Sequence, residues 1–421
     1  MKTSSTGTIT VAIETLGCKL NQAESESIAL QLTKNGYRLV SPSEPADIYI
    51  LNTCTVTGTA DRKSRYFLRL ARRRNPNSMI VAIGCYPDRA VEELERLKCA
   101  DMILGNDAKD KITSILNLKR QRTSGARLDS NALRTRSMVK IQEGCNHYCS
   151  YCIVPYVRGR ERSRPIDEII ADIESRTNLG FKEIVLTGTN IGAYDSELDL
   201  LIKRILDETG VKRLRLSSLR PGDISDKLLE LWNDARLCRH MHLPLQSGSD
   251  SVLKRMNRPY GIADYASAVA RIRKTIPKAS ITADIIVGFP GETDEEYKES
   301  YNFCRDTAFS NLHVFSYSQR PGTAAADMPH QVDEHTKKER SGKMLKLARD
   351  SALRFGRQFR GETLPVLWET EVAPGVWDGL TDNYIRVMAR SGRTLRNEII
   401  DSRLSDGYNK SFKCIEACLV D

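Results

Sequence analysis

The stretch GCNHYCSYC contains three of the chain's eleven cysteines, Cys145, Cys149 and Cys152. Their spacing lets one tight loop present three thiolates to a single iron–sulfur cluster. A 4Fe–4S cube takes four ligands, so three cysteines leave one iron open. An open iron can hold a substrate through an amine and a carboxylate, which S-adenosylmethionine provides, and the reduced cluster can cleave that molecule to a 5′-deoxyadenosyl radical. The loop therefore predicts radical chemistry rather than electron transfer alone.

A zinc site is the alternative that these residues leave open. Zinc prefers four closed positions, and His147 or a distant cysteine would supply the fourth ligand. Residues at zinc-ribbon spacing usually form two paired knuckles, and the sequence has no second Cys-x-x-Cys pair. The pattern favours the open cluster over zinc without excluding zinc.

A second set of cysteines follows three apolar segments in the first hundred residues, ITVAIETLGC, DIYILNTC and MIVAIGC. Each segment predicts a short buried strand, and a helical pattern follows each. Alternating strands and helices predict parallel strands whose carboxyl ends share one edge of the sheet. Cys18, Cys54 and Cys85 are therefore expected to converge at the edge where open α/β sheets bind ligands. The alternative is that they are small apolar residues that end buried strands.

The remainder of the chain predicts a second α/β region and a small all-β region. Six apolar strands with intervening helices predict a partial β/α barrel, with its chemistry at the carboxyl ends of the strands. A long charged helix is expected to close this barrel and to end at Gly361, and short alternating strands after it predict a small β-barrel. The fold class is α/β, and the expected parts are an open parallel α/β domain (8–118), a basic linker (119–136), a partial (β/α)6 barrel (137–360) and the β-barrel (361–421).

Composition limits the class of protein further. The 421 residues are 40% apolar, enough for several packed cores. No segment approaches the roughly 18 apolar residues of a membrane span, and the N-terminus lacks the features of a secretory signal. A cytoplasmic protein is therefore expected, where reduced thiols favour metal ligands over disulfides. The net charge of +10 favours a polyanionic partner, with nucleic acid as the first candidate.

The sequence resembles the radical-SAM methylthiotransferases over almost its whole length. GCNHYCSYCIVPYVRGRERSRP resembles the family signature; TLGCKLNQAESE, LNTCTVTGTADRKSR and AIGCYPDR are similar to its N-terminal domain; LTGTNIG, LRLSSLRPGD, HLPLQSGSDSVLKRMNRPY and DIIVGFPGET are similar to its barrel. The C-terminal residues resemble its RNA-binding TRAM domain. LGCKLNQAESE and WDGLTDNYIRV are most similar to the branch that methylthiolates threonylcarbamoyl-adenosine next to the tRNA anticodon.

This resemblance implies two 4Fe–4S clusters, one held by Cys145, Cys149 and Cys152 and an auxiliary one held by the N-terminal set of cysteines. The implied reaction replaces the hydrogen on carbon 2 of adenine with a methylthio group, and the clusters themselves are the implied catalytic groups. The implied partners are S-adenosylmethionine, the anticodon stem-loop of tRNA, and an electron donor such as flavodoxin or ferredoxin. The alternatives are the branch that acts on isopentenyl-adenosine and, in a different class, a non-catalytic iron–sulfur or zinc RNA-binding module.

Two further groups of residues are candidates for ligand contacts. Five residues near strand ends of the barrel could bind S-adenosylmethionine, although ordinary turn chemistry explains each equally well: Gly188, Ser217, Ser218, Gln246 and Asp284. Seven arginines could contact RNA phosphates, five of them at near-helical spacing, and the alternative is a solvated helix face: Arg62, Arg65, Arg69, Arg72, Arg73, Arg158 and Arg160.

Overall fold

The computed structural model describes residues 8–117, 135–195, 197–409, 412 and 414–420. The basic linker expected over 119–136 lies outside the described residues except for its last two positions. Among the described helices, none combines the length and the apolar character needed to cross a membrane.

The N-terminal part is an open parallel sheet in the strand order β2-β1-β3-β4-β5. Its central strand β3 is buried at every position, as expected for a parallel strand with helices on both faces. Its elements are β1 (Thr10–Thr15), α1 (Lys19–Lys34), β2 (Arg38–Val40), β3 (Ile48–Thr53), α2 (Gly58–Arg74), β4 (Met79–Gly84), α3 (Cys85–Leu97), β5 (Met102–Leu104) and α4 (Ile112–Asn117).

The central part contains six parallel strands, in two three-stranded sheets. Parallel bridges from Leu214 to Leu237 and from Ser218 to His242 join the two sheets, which gives the partial barrel that was predicted. Its elements are β6 (Arg136–Lys140), β7 (Gln142–Glu143), α5 (Val154–Arg158), β8 (Arg162–Ser163), α6 (Ile166–Asn178), β9 (Glu183–Thr187), α7 (Leu198–Glu208), β10 (Arg213–Leu216), α8 (Asp226–Glu230), β11 (His240–His242), α9 (Asp250–Arg255), α10 (Ile262–Thr275), β12 (Ser280–Val287), α11 (Asp294–Asp306), β13 (Asn311–Ser316) and α12 (Glu334–Arg357).

The C-terminal part is a closed five-stranded barrel, in the order β14-β15-β16-β18-β17, so the predicted fold class is confirmed. Its strands are β14 (Thr363–Ala373), β15 (Val376–Thr381), β16 (Arg386–Arg390), β17 (Ile399–Asn409) and β18 (Cys414–Leu419). Two details differ from the sequence-based expectation. Strand β17, which is rich in polar residues, was not predicted. Helix α12 ends at Arg357 rather than at Gly361, because Phe359 turns into the barrel core and is fully buried there.

Helix α1 joins the N-terminal sheet to the central partial barrel. Its Ala23 packs against Met138 of β6 and Val185 of β9. The carboxylate of Glu26 accepts hydrogen bonds from the Met138 backbone amide (3.0 Å) and from the Arg176 guanidinium (2.6 Å). The residues that follow the first strand of the N-terminal sheet are thereby held against the inner face of the barrel.

Candidate functional site

The cysteine triplet lies in the loop between β7 and β8, which pair as a short antiparallel ladder. The loop is closed by backbone hydrogen bonds from Cys145 to Gly159 (3.1 Å) and from Cys152 to Cys149 (3.0 Å). The Sγ of Cys149 accepts a hydrogen bond from the Arg258 guanidinium at 3.2 Å. Three thiols from one short loop therefore lie together under a cationic side chain.

Burial raises the pKa of the Cys145 thiol, and it raises that of Cys152 to about 12. The thiols of the same triplet add to both shifts because like charges disfavour ionisation. Thiolates at these positions need a positive partner, which a bound metal centre supplies.

The three sulfur atoms of the triplet are not gathered around one point. Within the described ranges, the only His, Cys, Asp or Glu group with three ligand atoms inside 4.8 Å of one another is His242, Asp284 and His313. One tetrahedral zinc would draw its sulfurs to about 3.8 Å apart. The ring of His147 contacts Arg220, and burial and this cation lower its pKa. The ring that would be the nearest fourth ligand of a zinc ion is therefore engaged with a cation.

Cys18, Cys54 and Cys85 also lie together, at the carboxyl edge of the N-terminal sheet. Cys18 is the N-cap of α1, Cys54 follows β3, and Cys85 begins α3. Burial, with a smaller effect from the neighbouring sulfurs of Cys18 and Cys85, raises the pKa of Cys54 to about 12. A side chain on Gly17 would meet the Cys54 sulfur at 2.6 Å, and the φ of Gly17 is +93°. Glycine is therefore needed for the first loop to approach the second.

The two sets of cysteines are neighbours in space. Cys85 packs against Ile153 and Val157, directly after the last cysteine of the triplet. The amide nitrogen of Asn106 lies 3.6 Å from the Cys85 sulfur and donates to the Val157 carbonyl at 2.9 Å. Asn106 and this contact were not found from the sequence, since nothing in the local pattern around Asn106 marks it.

Arg158 was predicted to contact RNA phosphates, but its side chain is buried between the two sets of cysteines. It is 6% exposed, and its guanidinium donates to Glu24 at 2.8 and 3.1 Å and to Asn21 at 2.6 Å. Glu24 also pairs with Lys109 at 2.5 Å. Burial opposes the charge on Arg158, but its interactions with Cys85, Glu24 and Cys18 raise its pKa well above the ordinary value. A buried Arg158 is not on a surface that RNA phosphates can reach.

The five candidates for S-adenosylmethionine binding lie on or after successive strands β9 to β12. Gly188 approaches the Gln142 carbonyl so closely that a Cβ would lie 2.7 Å from it. Among the described residues, none is a hydrogen-bond partner of the buried Ser217 hydroxyl, whereas Ser218 forms the bridge to His242. Gln246 has a φ of +70°, and its backbone N–H donates to the backbone carbonyl of Asp284 at 2.8 Å. The Ser217 hydroxyl is one of the buried polar atoms of this barrel that a ligand would satisfy, with Thr189 Oγ1 and His240 Nδ1.

Asp284 points into the barrel beside two histidines, His242 at 3.3 Å and His313 at 3.2 Å. Burial disfavours its charge, but the hydrogen bonds from these imidazoles lower its pKa below the ordinary value. His240 and His242 both hydrogen-bond to Thr282, at 2.9 and 2.8 Å. Alternation along β11 and β12 could have identified this inner face, since neighbouring apolar positions belong to the outer core.

The arginines of α2 do not form one free row. Arg65 donates to the Tyr86 hydroxyl, and Arg72 pairs with Asp101 at 2.6 Å. The other three, and Arg160 after α5, are exposed: Arg62, Arg69, Arg73 and Arg160.

Comparisons with known proteins agree with this geometry. A model described as the Radical SAM superfamily matches residues 139–304, and one described as "Uncharacterized protein family UPF0004" matches residues 10–105. The "Threonylcarbamoyladenosine tRNA methylthiotransferase MtaB" of Bacillus subtilis is 38% identical over an alignment of 427 positions, gaps included, which covers 95% of this chain and 94% of the relative. The chain belongs to the radical-SAM methylthiotransferase family. The methylthiotransferase is therefore an enzyme that uses a 4Fe–4S cluster and S-adenosylmethionine, and the non-catalytic module is excluded.

Other relatives of the methylthiotransferase carry two kinds of name. The protein from Thermotoga maritima, also named MtaB, is 39% identical and covers 90% of each chain. A "tRNA-2-methylthio-N(6)-dimethylallyladenosine synthase" from Thermoanaerobacter is 36% identical, over 85% of this chain and 81% of the relative. Among solved structures, the radical S-adenosylmethionine methyltransferase TsrM from Kitasatospora setae shares the fold, with a TM-score of 0.57, 13% identity, and coverage of 88% and 81%.

Proposed function

We propose that this methylthiotransferase adds a methylthio group to carbon 2 of threonylcarbamoyl-adenosine next to the anticodon of tRNA, with two 4Fe–4S clusters. Cys145, Cys149 and Cys152 hold the radical-SAM cluster, and Cys18, Cys54 and Cys85 hold the auxiliary one. The observation that carries the proposal is the contact of Cys85 with Ile153 and Val157, which brings two three-cysteine sets beside one barrel mouth. A reaction that needs both hydrogen abstraction and sulfur delivery at one carbon requires this closeness.

When bound, the clusters and S-adenosylmethionine supply the radical and the sulfur, which no side-chain acid or base can replace at this carbon. The residues of the chain position these groups. Arg258 neutralises the triplet through Cys149. Asn106 holds Cys85 against the α5 backbone. Ser217, Ser218, Gln246, Asp284 and the approach allowed by Gly188 are proposed to bind S-adenosylmethionine.

The choice of tRNA as substrate rests on the relatives and on the surface around the triplet. Relatives named for threonylcarbamoyladenosine and relatives named for dimethylallyladenosine both match this chain over most of their length. Tyr148 and Tyr156, on the cysteine loop and α5, are 53% and 57% exposed, with ring centroids 5.9 Å apart. Exposed aromatic rings on this loop suit stacking with unpaired bases. Arg160, and Arg62, Arg69 and Arg73 on α2, are exposed cations that suit phosphate contacts.

Two measurements test the clusters. Anaerobic reconstitution should load about eight irons per chain and, after reduction, release 5′-deoxyadenosine. Replacing Cys54 or Cys149 by alanine should each remove about half of the iron, because one cube is lost and the other stays. Equal loss of all iron in both variants, or a single metal ion per triad, would contradict two independent clusters.

The substrate is tested by nucleoside analysis of tRNA from a strain that lacks this chain. Loss of the methylthio group from threonylcarbamoyl-adenosine supports the proposal. Loss from isopentenyl-adenosine would instead assign the second candidate, which the relatives named dimethylallyladenosine synthase favour. A flavodoxin or ferredoxin is the proposed electron donor, and turnover with each purified protein as the only reductant tests it.

A further inference from the structure

A buried carboxylate lies where the N-terminal part contacts the central barrel. Asp61, in the first turn of α2, is 5% exposed and accepts a hydrogen bond from the Thr55 hydroxyl at 2.6 Å. The guanidinium of Arg320, in the segment that follows β13, donates to Asp61 at 2.7 Å and to Thr55 at 3.0 Å. Arg320 is 4% exposed. One arginine of the barrel is therefore bonded to two buried residues of the N-terminal part.

The same carboxylate also binds a residue of α3. Arg89 donates to Asp61 at 3.1 Å, and it belongs to the helix that begins at Cys85. Asp61 itself belongs to the segment that follows Cys54. Asp61 therefore joins the segments that follow two of the three N-terminal cysteines, and Arg320 joins both segments to the barrel.

A second contact from the same barrel segment lies beside the first. The Ser318 hydroxyl accepts a hydrogen bond from the backbone N–H of Gly58 at 3.0 Å. Gly58 is the first residue of α2, and an N–H at this position has no partner inside its own helix. Ser318 and Arg320 together fix the beginning of α2 against the barrel, one through the backbone and the other through Asp61.

The ion pairs at this contact are a poor source of stability. The largely buried guanidinium groups of Arg89 and Arg320 share the one carboxylate of Asp61. Among the described residues, none accepts a hydrogen bond from Arg320 Nε. Burying charges costs free energy that such incomplete pairing regains only in part. The directional bonds of a guanidinium instead define one arrangement of the two parts.

We propose that Arg320 is a positioning residue that acts through Asp61, and that it holds the auxiliary set of cysteines at the distance from the barrel that sulfur transfer to carbon 2 requires. This inference rests on the proposed function. In the described part of the chain, no hydrogen bond of the Arg320 side chain reaches the triplet of the radical-SAM loop. Cleavage of S-adenosylmethionine at that loop therefore continues without Arg320, while transfer fails.

Two products of one reaction test the proposal, with the cluster-loaded enzyme and an anticodon stem-loop RNA that carries threonylcarbamoyl-adenosine. The amount of 5′-deoxyadenosine measures cleavage, and the methylthiolated RNA measures transfer. In Arg320→Met the ratio of transfer to cleavage should fall about tenfold or more, since a displacement of about 1 Å can cost roughly a hundredfold in rate. Arg320→Lys should restore part of the ratio, because an ammonium can pair with Asp61 without the fixed fork of the guanidinium.

Arg340→Met is the matched control. Arg340 is also buried, at 6% exposure, and pairs with Glu292 at 2.7 Å and with Asp294 at 2.8 Å, both in the central part. Its loss removes a buried guanidinium without touching the contact to the N-terminal part. This variant should therefore keep the ratio of transfer to cleavage, even where its thermal stability falls.

Hydrogen exchange of the cluster-free protein gives a readout that does not involve activity. In Arg320→Met, the backbone amides of residues 55–64 should exchange about tenfold faster than in the unchanged protein, because the beginning of α2 is released from the barrel. Arg340→Met should leave the exchange of these amides unchanged.

Three results would overturn the proposal. The first is an Arg320→Met enzyme with the product ratio of the unchanged enzyme, and the second is an equal fall of that ratio in Arg340→Met. If Arg320→Met loses the auxiliary iron, Ser318→Ala decides, because it removes the bond to Gly58 and no charge; an undiminished ratio there is the third. Failure of the proposed function is distinguishable, since the unchanged enzyme would then methylthiolate no threonylcarbamoyl-adenosine at all.

Discussion

Replacing Glu24 by glutamine is expected to destabilise the protein strongly at neutral pH. The Glu24 side chain is 2% exposed, and its carboxylate faces Lys109 at 2.5 Å and Arg158 at 2.8 Å. Burial alone would raise the pKa of this carboxyl, but the two cations lower it from 4.5 to about 2. A shift of that size corresponds to about 3 kcal/mol of stability. Glutamine keeps the shape of the side chain and leaves two buried cations without an anion.

Differential scanning calorimetry of the cluster-loaded, anaerobic enzyme measures the effect. At roughly 2–4 °C per kcal/mol, the transition of the N-terminal part should fall by about 6–12 °C. Glu92→Gln is the matched control, because its pair with Arg96 is exposed at 83% and 76%. Such a surface pair contributes at most about 1 kcal/mol.

The pH dependence gives a second check. Because the folded-state pKa of Glu24 lies below its ordinary value, its stabilising effect is present above about pH 4.5 and is lost as the pH falls towards 2. The difference between the unchanged enzyme and Glu24→Gln should therefore narrow below pH 4.5. Equal melting of Glu24→Gln and Glu92→Gln at pH 7, or a difference independent of pH, would refute this account of the buried network.

Three other changes have distinct expected outcomes. The Gly17→Ala variant should lose the iron of the auxiliary cluster, because the added Cβ would collide with Cys54. The Gly180→Ala variant is the control: Gly180 has a similar φ of +94°, but no described atom lies within 4 Å of an added Cβ, so this variant should keep the iron. Iron analysis of both variants checks the prediction. Asp284→Asn should weaken S-adenosylmethionine binding about tenfold or more in equilibrium dialysis, since a charged acceptor beside His242 is lost; unchanged affinity would remove Asp284 from that role. Replacing Arg62, Arg69 and Arg73, the exposed arginines of α2, by glutamine should reduce the slope of log affinity for tRNA against log salt concentration by about 2–3. An unchanged slope would mean that the RNA binds to another surface.

Much of the site's location could be predicted from local pattern. Apolar strands followed by helices placed Cys18, Cys54 and Cys85 at one sheet edge, because parallel strands have the same polarity. The same pattern predicted the partial barrel and the position of the triplet after its first strand. Strand β17 escaped prediction, because its exposed face makes its sequence too polar to give a strong apolar signal.

The sequence by itself determined which residues offer thiolates and at which strand ends they stand, since both follow from spacing and chain direction. Only the tertiary structure decided that Arg158 is buried against Glu24 rather than open to RNA, and that Tyr384 of the C-terminal barrel stacks on His240 of the central barrel. The residues in these pairs are at least 134 positions apart in the sequence, and no helical or strand periodicity connects them. Their partners are set by how α1 and the turn after β15 pack into the barrel, which local propensity does not specify.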